Sequence, residues 1–210
     1  MAHAGGARAA RRTQAVEALL DATLECLATV GFAATTTRGV AQLAGVSQGL
    51  QQHYFPTKAA LIDAAINRLA ARLIDEASQP VAGATERERA ELLLRQVWET
   101  YRLPVFAVVA ELLVLARTHP DTAAKTAATL VAVTDRVLAV ATDALPSYAR
   151  RDRFRDALLL ALAAIRDTTT VARIPGTAPA LPTLEAITAA FLHAVDKAPT
   201  RRGTQPGAGA

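Results

Sequence analysis

TRGVAQLAGVSQGLQQHYFPTK, residues 37–58, has the pattern of a short helix, a tight turn and a second short helix. Apolar residues recur at helical spacing in its first part, and a threonine at position 36 or 37 can cap that helix. Gly45 stands where a helix C-terminus favours a left-handed residue. Ser47 can cap the second helix, and Pro56 prevents its continuation. This arrangement predicts a helix-turn-helix unit, which places its second helix in a DNA major groove.

The second helix of this unit carries side chains that can recognise bases. Gln48, Gln51, Gln52 and His53 are hydrogen-bonding groups, and we expect this helix to expose them. Glutamine can donate to and accept from adenine, and Gly49 would let the backbone approach DNA closely. A helix face that is merely solvated is the alternative interpretation, but the glycine turn, the serine cap and the aromatic end together favour DNA binding.

At these residues the chain resembles the tetracycline-repressor (TetR) family of bacterial transcription regulators. The family pattern has a Thr-rich helix start, Ala-x-x-Ala-Gly-Val-Ser, x-Gly, an aromatic end and then x-x-Lys-x-x-Leu. This chain has TTTRGVAQLAGVSQG at residues 35–49 and HYF at residues 53–55, followed by Lys58 and Leu61. The resemblance covers residues 11–70.

One departure from the family pattern concerns the recognition helix. The family often has Thr-Leu-Tyr where this chain has LQQ at residues 50–52, so a phosphate-contacting threonine and tyrosine are missing. Gln52 is therefore expected to read or clamp the DNA differently, whereas Lys58 suits a phosphate contact. The DNA contacts that the motif and the resemblance together imply come from Thr37, Arg38, Ser47, Gln48, Gly49, Gln52, His53, Tyr54 and Lys58.

Composition favours an all-α protein. Hydrophobic residues make up 51% of the chain and aromatic residues only 4%, which indicates closely packed helices. The net charge of +4 permits nucleic-acid binding without requiring it. The single Cys26 excludes an internal disulfide, and we interpret it as a buried, unreactive thiol. We find no secretory signal and no apolar run that would span a bilayer, so we expect a cytoplasmic protein without membrane contact.

The helical pattern divides the chain into two domains and a tail. A three-helix DNA-binding domain is expected at residues 8–58, with its first helix running from near Arg11 to Val30, after disordered residues 1–7. Arg8, Arg11 and Arg12 form a basic arm that either follows DNA or serves only solubility. A helical regulatory domain is expected at residues 59–196, and the Gly- and Pro-rich residues 197–210 are expected to be disordered.

The regulatory domain is expected to form a homodimer. In the TetR family the last two helices pair with their copies across a two-fold axis. A dimer also roughly doubles the specific free energy of DNA binding, since it reads two half-sites. Core packing within one chain is the alternative for the apolar stripes of these helices. The interface residues predicted on this basis are Leu158, Ala161, Leu162, Ile165, Ile187 and Phe191.

A small-molecule effector is the other partner that the resemblance implies, bound inside the regulatory bundle. Aromatic side chains would line its mostly apolar site, and charged ones would orient the ligand. For each residue taken singly, a structural role is the stronger interpretation. The ligand-binding residues predicted are Trp98, Tyr101, Arg102, Phe106, Glu111 and Phe154.

The sequence therefore predicts a homodimeric regulator of transcription that binds double-stranded operator DNA, most simply a repressor released by a small molecule. An enzyme is disfavoured because we find no nucleophile–base motif, no metal-ligand spacing and no phosphate-binding glycine loop. Neither a metal nor another cofactor is expected. The remaining alternative is a helical protein-interaction module whose DNA-binding motif is degenerate.

Overall fold

A computed structural model of the protein describes residues 3–103, 106–118 and 120–200. Within these residues the chain is built from α-helices, and the prediction of an all-α fold is confirmed. A short 3-10 helix, Ala178–Ala180, precedes the last α-helix. The α-helices are α1 His3–Ala34, α2 Thr37–Leu43, α3 Gln48–Tyr54, α4 Lys58–Glu76, α5 Glu86–Arg102, α6 Phe106–Leu115, α7 Pro120–Ala144, α8 Pro146–Ala149, α9 Phe154–Val171 and α10 Leu184–Asp196.

The turn between α2 and α3 follows the local signals of the sequence. The Thr36 hydroxyl accepts a hydrogen bond from the Gly39 amide at 3.0 Å and caps α2. The Ser47 hydroxyl accepts from the Leu50 amide at 3.2 Å and caps α3. Gly45 has a φ of +67°, the left-handed conformation that ends α2 at low cost. These three residues fix the path of the chain into α3.

The helices fall into two compact units. The first unit comprises Met1–Asp75 and Leu103–Val133, and the second comprises Glu76–Arg102 and Thr134–Ala210. This division differs from the boundary after residue 58 that we expected, because α4, α6 and the first part of α7 cluster with α1, α2 and α3. The helix-turn-helix therefore belongs to a larger unit than the three-helix domain suggested.

In the first unit, α1 and α4 supply the larger part of the core. The apolar stripe of α1 is buried, with Leu19 fully enclosed and Leu24 3% exposed. Each such leucine contributes about 1.5–3 kcal/mol through burial. Across the surface of the two helices, Arg68 of α4 pairs with Glu17 and Asp21 of α1. This packing makes α1 the brace that holds the helix-turn-helix.

The start of α1 differs from the prediction. The helix begins at His3, so residues 3–7, which we expected to be disordered, are helical. The predicted end is confirmed, since Gly31 has a φ of +76° and breaks the helical geometry within the span. The side chain of Arg8 and residues 201–210 of the predicted tail lie outside what the structure describes.

In the second unit, α5, α9 and α10 pack together around a core that the last part of α7 completes. Leu94, Leu158, Ile165 and Val195 are fully buried there. At one end of this unit the Glu86 carboxylate accepts hydrogen bonds from the amides of α8. The second unit is thus a small helical bundle with its own apolar core.

Candidate DNA-binding surface and dimer face

The exposed side of α3 presents polar side chains to solvent. Gln48, Gln52 and His53 are exposed, and Gly49 between them leaves the backbone open. A Cβ atom at Gly49 would meet no other atom within 4 Å, so the fold itself does not require glycine there. We call Gln48, Gly49, Gln52 and His53 the recognition face. It has the donors, acceptors and close backbone access that reading base edges demands.

Gln51 does not belong to this face, which corrects the expectation that all the glutamines of α3 are exposed. Its side chain is fully buried, and its Nε2 donates to the carbonyl oxygen of Phe55 at 2.7 Å. Gln51 lies about 100° around the helix from Gln52, because an α-helix has about 3.6 residues per turn. The rotation places Gln51 against the core, where it closes the end of α3.

Tyr54, at the end of α3, is half-buried and contacts α1. The Arg12 guanidinium lies 5.6 Å from the centre of the Tyr54 ring, a cation–π distance. The His53 ring meets the Tyr54 ring edge-on, with centres 5.1 Å apart. The basic start of α1 is thereby joined to the end of the recognition helix. Sequence patterns identified Arg12 as part of a basic arm but contained no signal for this contact.

Lys58 has a role inside the first unit that the sequence did not predict. Its Nζ donates to the carbonyl oxygen of Phe32 at 2.7 Å and lies 4.8 Å from the centre of the Phe32 ring. The ammonium group therefore joins the start of α4 to the end of α1. A phosphate contact by Lys58 stays a prediction, and the intramolecular bond competes with it.

Thr37 and Arg38 lie in the first turn of α2, beside the Thr36 cap. Arg38 is exposed and Thr37 is half-buried. The capping hydroxyl belongs to Thr36, which settles the choice between positions 36 and 37. Within the described part of the chain the Arg38 guanidinium forms no ion pair, and the residue is exposed at the start of this helix.

The six residues predicted to bind a ligand do not lie in one compact unit. Trp98, Tyr101, Arg102 and Phe154 belong to the second unit, whereas Phe106 and Glu111 belong to the first. Burial raises the pKa of the Tyr101 hydroxyl, and the nearby Arg166 charge lowers it in part.

Contacts within the protein account for several members of this set. Phe154 is core, 4% exposed, and meets Phe191 edge-on at 6.3 Å. Arg102 is exposed and lies 3.6 Å from Glu99. The Glu111 carboxylate accepts a hydrogen bond from the Phe32 amide at 2.8 Å.

The predicted dimer residues also pack within one chain. Leu158, Ile165, Ile187 and Phe191 are at most 5% exposed, and Ala161 and Leu162 lie against the same core. The strong apolar stripes of α9 and α10 are therefore the faces that these helices turn toward each other and toward α5. Periodicity identifies the most apolar face of each helix, and that face packs into the core of the same chain.

A second apolar face is left on the outside of α9 and α10. Leu160 is 71% exposed, and a groove of 390 Å³ runs beside it between the two helices. We call this the outer groove; its lining includes Leu160, Ala164, Pro182, Ala186 and Ala190. Three of the predicted dimer residues, Ala161, Ile187 and Phe191, also line it. The segment Ala178–Asp196 is long and apolar enough to cross a bilayer by length and composition only, where we expected no such run, and 28% of its apolar 18-residue window is buried.

The first unit contains a separate groove of 530 Å³ beside α4, α6 and α7. Its lining is mainly apolar, with Phe32, Ile62, Ile66 and Leu112 among the side chains. At its edge Lys125 pairs with Asp63 at 2.5 Å. None of the six predicted ligand residues lines it.

The described residues contain no group of three or more His, Cys, Asp or Glu side chains that could hold a metal ion. Cys26 is half-buried and free. Burial and the neighbouring Glu25 charge raise the pKa of its thiol, which lowers its reactivity at neutral pH.

The N-terminal part of the chain is similar in sequence to known proteins. The family described as bacterial regulatory proteins, tetR family, matches residues 19–65. The HTH-type transcriptional regulator BetI of Rhizobium meliloti is 41% identical over 80 residues, which cover 38% of this chain and 39% of that protein. The match thus spans well under half the length of this curated relative.

Solved structures extend the likeness to most of the chain. A TetR transcription regulator from Haloarcula marismortui has a TM-score of 0.65 at 19% identity, over 89% of this chain and 97% of that one. The transcriptional regulator FadR from Bacillus subtilis, in complex with stearoyl-CoA, has a TM-score of 0.63 at 18% identity, over 86% and 97%. Residues 19–65 therefore match the TetR family of bacterial regulatory proteins, and the chain as a whole has a fold similar to that of solved TetR-family regulators.

Proposed function

We propose that the protein is a sequence-specific, double-stranded-DNA-binding regulator of transcription that acts as a homodimer in the cytoplasm. The recognition face on α3 is the observation that carries this proposal. It combines three exposed hydrogen-bonding side chains with a glycine that the fold does not need. The match of residues 19–65 to a family of bacterial regulatory proteins supports the same function.

Base reading is assigned to Gln48, Gln52 and His53. The side-chain amide of glutamine can pair in two places with the major-groove edge of adenine, and a good pair of this kind discriminates by about 1–3 kcal/mol. Gln48 and Gln52 are one helical turn apart, so their side chains project from the same side of α3. Gly49 lies between them and allows the helix to approach the groove floor.

Backbone contacts are assigned to the start of α2 and to the residues around Tyr54. Arg38 in the first turn of α2 and Arg12 in α1 are exposed cations, and the Thr37 and Ser47 hydroxyls can donate to phosphate. The ring of Tyr54 holds the Arg12 guanidinium near the recognition helix. We expect these contacts to supply the affinity that depends on salt but not on sequence.

The homodimer is proposed to form through the outer groove, whose lining joins the predicted Ala161, Ile187 and Phe191 to residues outside the predicted stripes. An exposed leucine beside an apolar groove is the type of surface that a second copy covers. Small side chains such as Ala186 and Ala190 allow two helix backbones to approach closely. The low burial of the apolar segment Ala178–Asp196 within one chain supports this interface.

A small-molecule effector completes the proposal. FadR, a structural relative, was solved in complex with stearoyl-CoA. A ligand can distinguish two forms of a protein, one with high and one with low affinity for DNA. A ligand that binds more tightly to the form with low DNA affinity would shift the population toward that form and release the DNA. We assign repression to the protein on this basis, and leave the effector's chemical class open.

Selection from a random-sequence DNA library tests the proposed function. The wild-type protein should enrich one sequence family, and binding to the selected duplex should fall steeply with salt. Replacing Gln52 with Ala should weaken binding to the selected duplex while leaving binding to a scrambled duplex unchanged. A protein that enriches no sequence from the library would instead fit the helical interaction module with a degenerate motif.

A further inference from the structure

The backbone of Phe32, just after the break in α1, is held from two sides within the first unit. On one side the Glu111 carboxylate of α6 accepts from the Phe32 amide at 2.8 Å, across 79 positions of sequence. On the other, the Lys58 ammonium of α4 donates to the Phe32 carbonyl at 2.7 Å. Hydrogen bonds with a charged partner are the stronger ones in proteins. The two peptide units on either side of Phe32 are thus fixed, one to α6 and the other to α4.

Gly31 makes room for the Glu111 contact. Its φ of +76° is a conformation that side chains disfavour, and a Cβ atom there would lie 2.8 Å from a Glu111 oxygen. The Gly31 carbonyl also accepts from the Thr35 amide at 3.1 Å and from the Thr35 hydroxyl at 2.7 Å. The geometry of residues 31–35 is therefore specified in detail, with an acidic side chain as one of its parts.

This junction lies directly before the helix-turn-helix. Thr36 caps α2 immediately after it, and α2 leads through Gly45 into α3. A rotation of the peptide at Phe32 would therefore be transmitted to the start of α2 and to the recognition face. Glu111 is half-buried and belongs to α6, a helix that contains none of the expected DNA contacts.

We propose that Glu111 is a positioning residue for DNA binding, which holds the α1–α2 junction so that the recognition face has the correct orientation. This inference rests on the proposed function, since it assumes that α3 reads DNA. A displacement of α6 that carries the Glu111 carboxylate beyond hydrogen-bond distance from the Phe32 amide would break this contact and loosen the junction. Glu111 therefore acts in DNA binding without touching DNA, and not as the ligand contact that the sequence suggested.

The test uses a duplex selected by the wild-type protein from a random library. Glu111→Ala should weaken binding to that duplex roughly tenfold, the loss typical of one hydrogen bond to a charged group. Glu111→Gln retains an oxygen that can accept from the Phe32 amide, so it should restore most of the affinity. Glu99→Ala, on an exposed α5 acid paired with Arg102, is the matched control for the loss of one negative charge.

Simple electrostatics predicts the opposite direction, because removal of an acid strengthens binding to an anion. A Glu111→Ala affinity within twofold of wild type, or tighter, would overturn the proposal, as would a Gln variant no better than Ala. If the wild type selects no sequence at all, the proposed function fails first, before any variant is compared.

Hydrogen exchange of the wild-type protein provides a second test that needs no variant. If the junction and DNA binding are coupled, the selected duplex must stabilise the Glu111 contact in return. The Phe32 amide should then exchange more slowly in the complex than in the free protein. An exchange rate that the duplex leaves unchanged would contradict the coupling even if Glu111→Ala fails to fold.

Discussion

The side-chain amide of Gln51 donates to the carbonyl oxygen of Phe55 at 2.7 Å, so a buried glutamine closes the recognition helix. Its neighbour Gln52 is exposed on the other side of the helix. Two adjacent residues of the same type therefore lie in different environments, and we propose a role in stability for Gln51 and a role in DNA recognition for Gln52.

This difference can be measured with a pair of variants. Gln51→Ala should lower the free energy of unfolding by about 1–3 kcal/mol, because it removes a buried hydrogen bond and leaves a carbonyl without its donor. Gln52→Ala should leave unfolding unchanged within about 0.5 kcal/mol and weaken binding to the selected duplex. Chemical denaturation and a DNA titration of both variants test this assignment. A lower free energy of unfolding for Gln52→Ala than for Gln51→Ala would reverse it.

Gly49 offers a test that separates folding from DNA approach. Since a Cβ atom there meets open space, Gly49→Ala should be tolerated and should stabilise α3 by up to about 1 kcal/mol. On the DNA the added methyl group should keep the helix from the groove and reduce affinity for the selected duplex. The thermal unfolding temperature of this variant should thus rise, while its affinity for the selected duplex falls. Affinity equal to wild type would mean that DNA does not approach at Gly49.

Arg12 and Lys58 are cations for which we expect different roles. Arg12→Ala should reduce the salt dependence of DNA binding by about one phosphate contact, and loss of its contact with Tyr54 should cost no more than about 1 kcal/mol of unfolding free energy. Lys58→Ala removes the bond to the Phe32 carbonyl, so we expect it to cost about 1–2 kcal/mol of unfolding free energy. A salt series combined with denaturation distinguishes them. A lower salt slope without lost stability for Lys58→Ala would restore its predicted phosphate contact.

The proposed dimer depends on Leu160. Leu160→Glu places a charge beside the outer groove and should produce monomers in analytical ultracentrifugation, with much weaker binding to a two-half-site duplex. Leu92→Glu is a suitable control, since Leu92 is also an exposed leucine of the second unit, at 43%, but does not line that groove. If the Leu160→Glu variant is still a dimer, the interface must lie elsewhere on the protein.

Local sequence signals predicted the helix-turn-helix well, and the reason is physical. Thr36, Gly45 and Ser47 act on backbone groups within about four residues, so their effects do not depend on the remaining fold. The rotation of α3 was harder to predict, because a seven-residue helix gives too few apolar positions to fix its phase. Gln51 was therefore predicted to be exposed, although its side chain is buried in the core.

The long-range contacts could not be predicted from one sequence. Nothing local to Glu111 indicates a hydrogen bond to the Phe32 amide, 79 positions away. The same holds for α9 and α10, where both faces are apolar and periodicity alone cannot say which one the chain buries. The predicted stripe is buried in the chain's own core, although Ala161, Ile187 and Phe191 also line the outer groove, and Leu160 beside them is exposed.

The central claim is that a dimer presents two α3 recognition faces to one DNA duplex. Hydroxyl-radical footprinting of the wild-type protein on its selected duplex tests this most directly. We predict two protected half-sites related by two-fold symmetry, with centres about 34–36 Å apart or a multiple of this distance. A single protected site, or uniform protection along the duplex at every salt concentration, would contradict it.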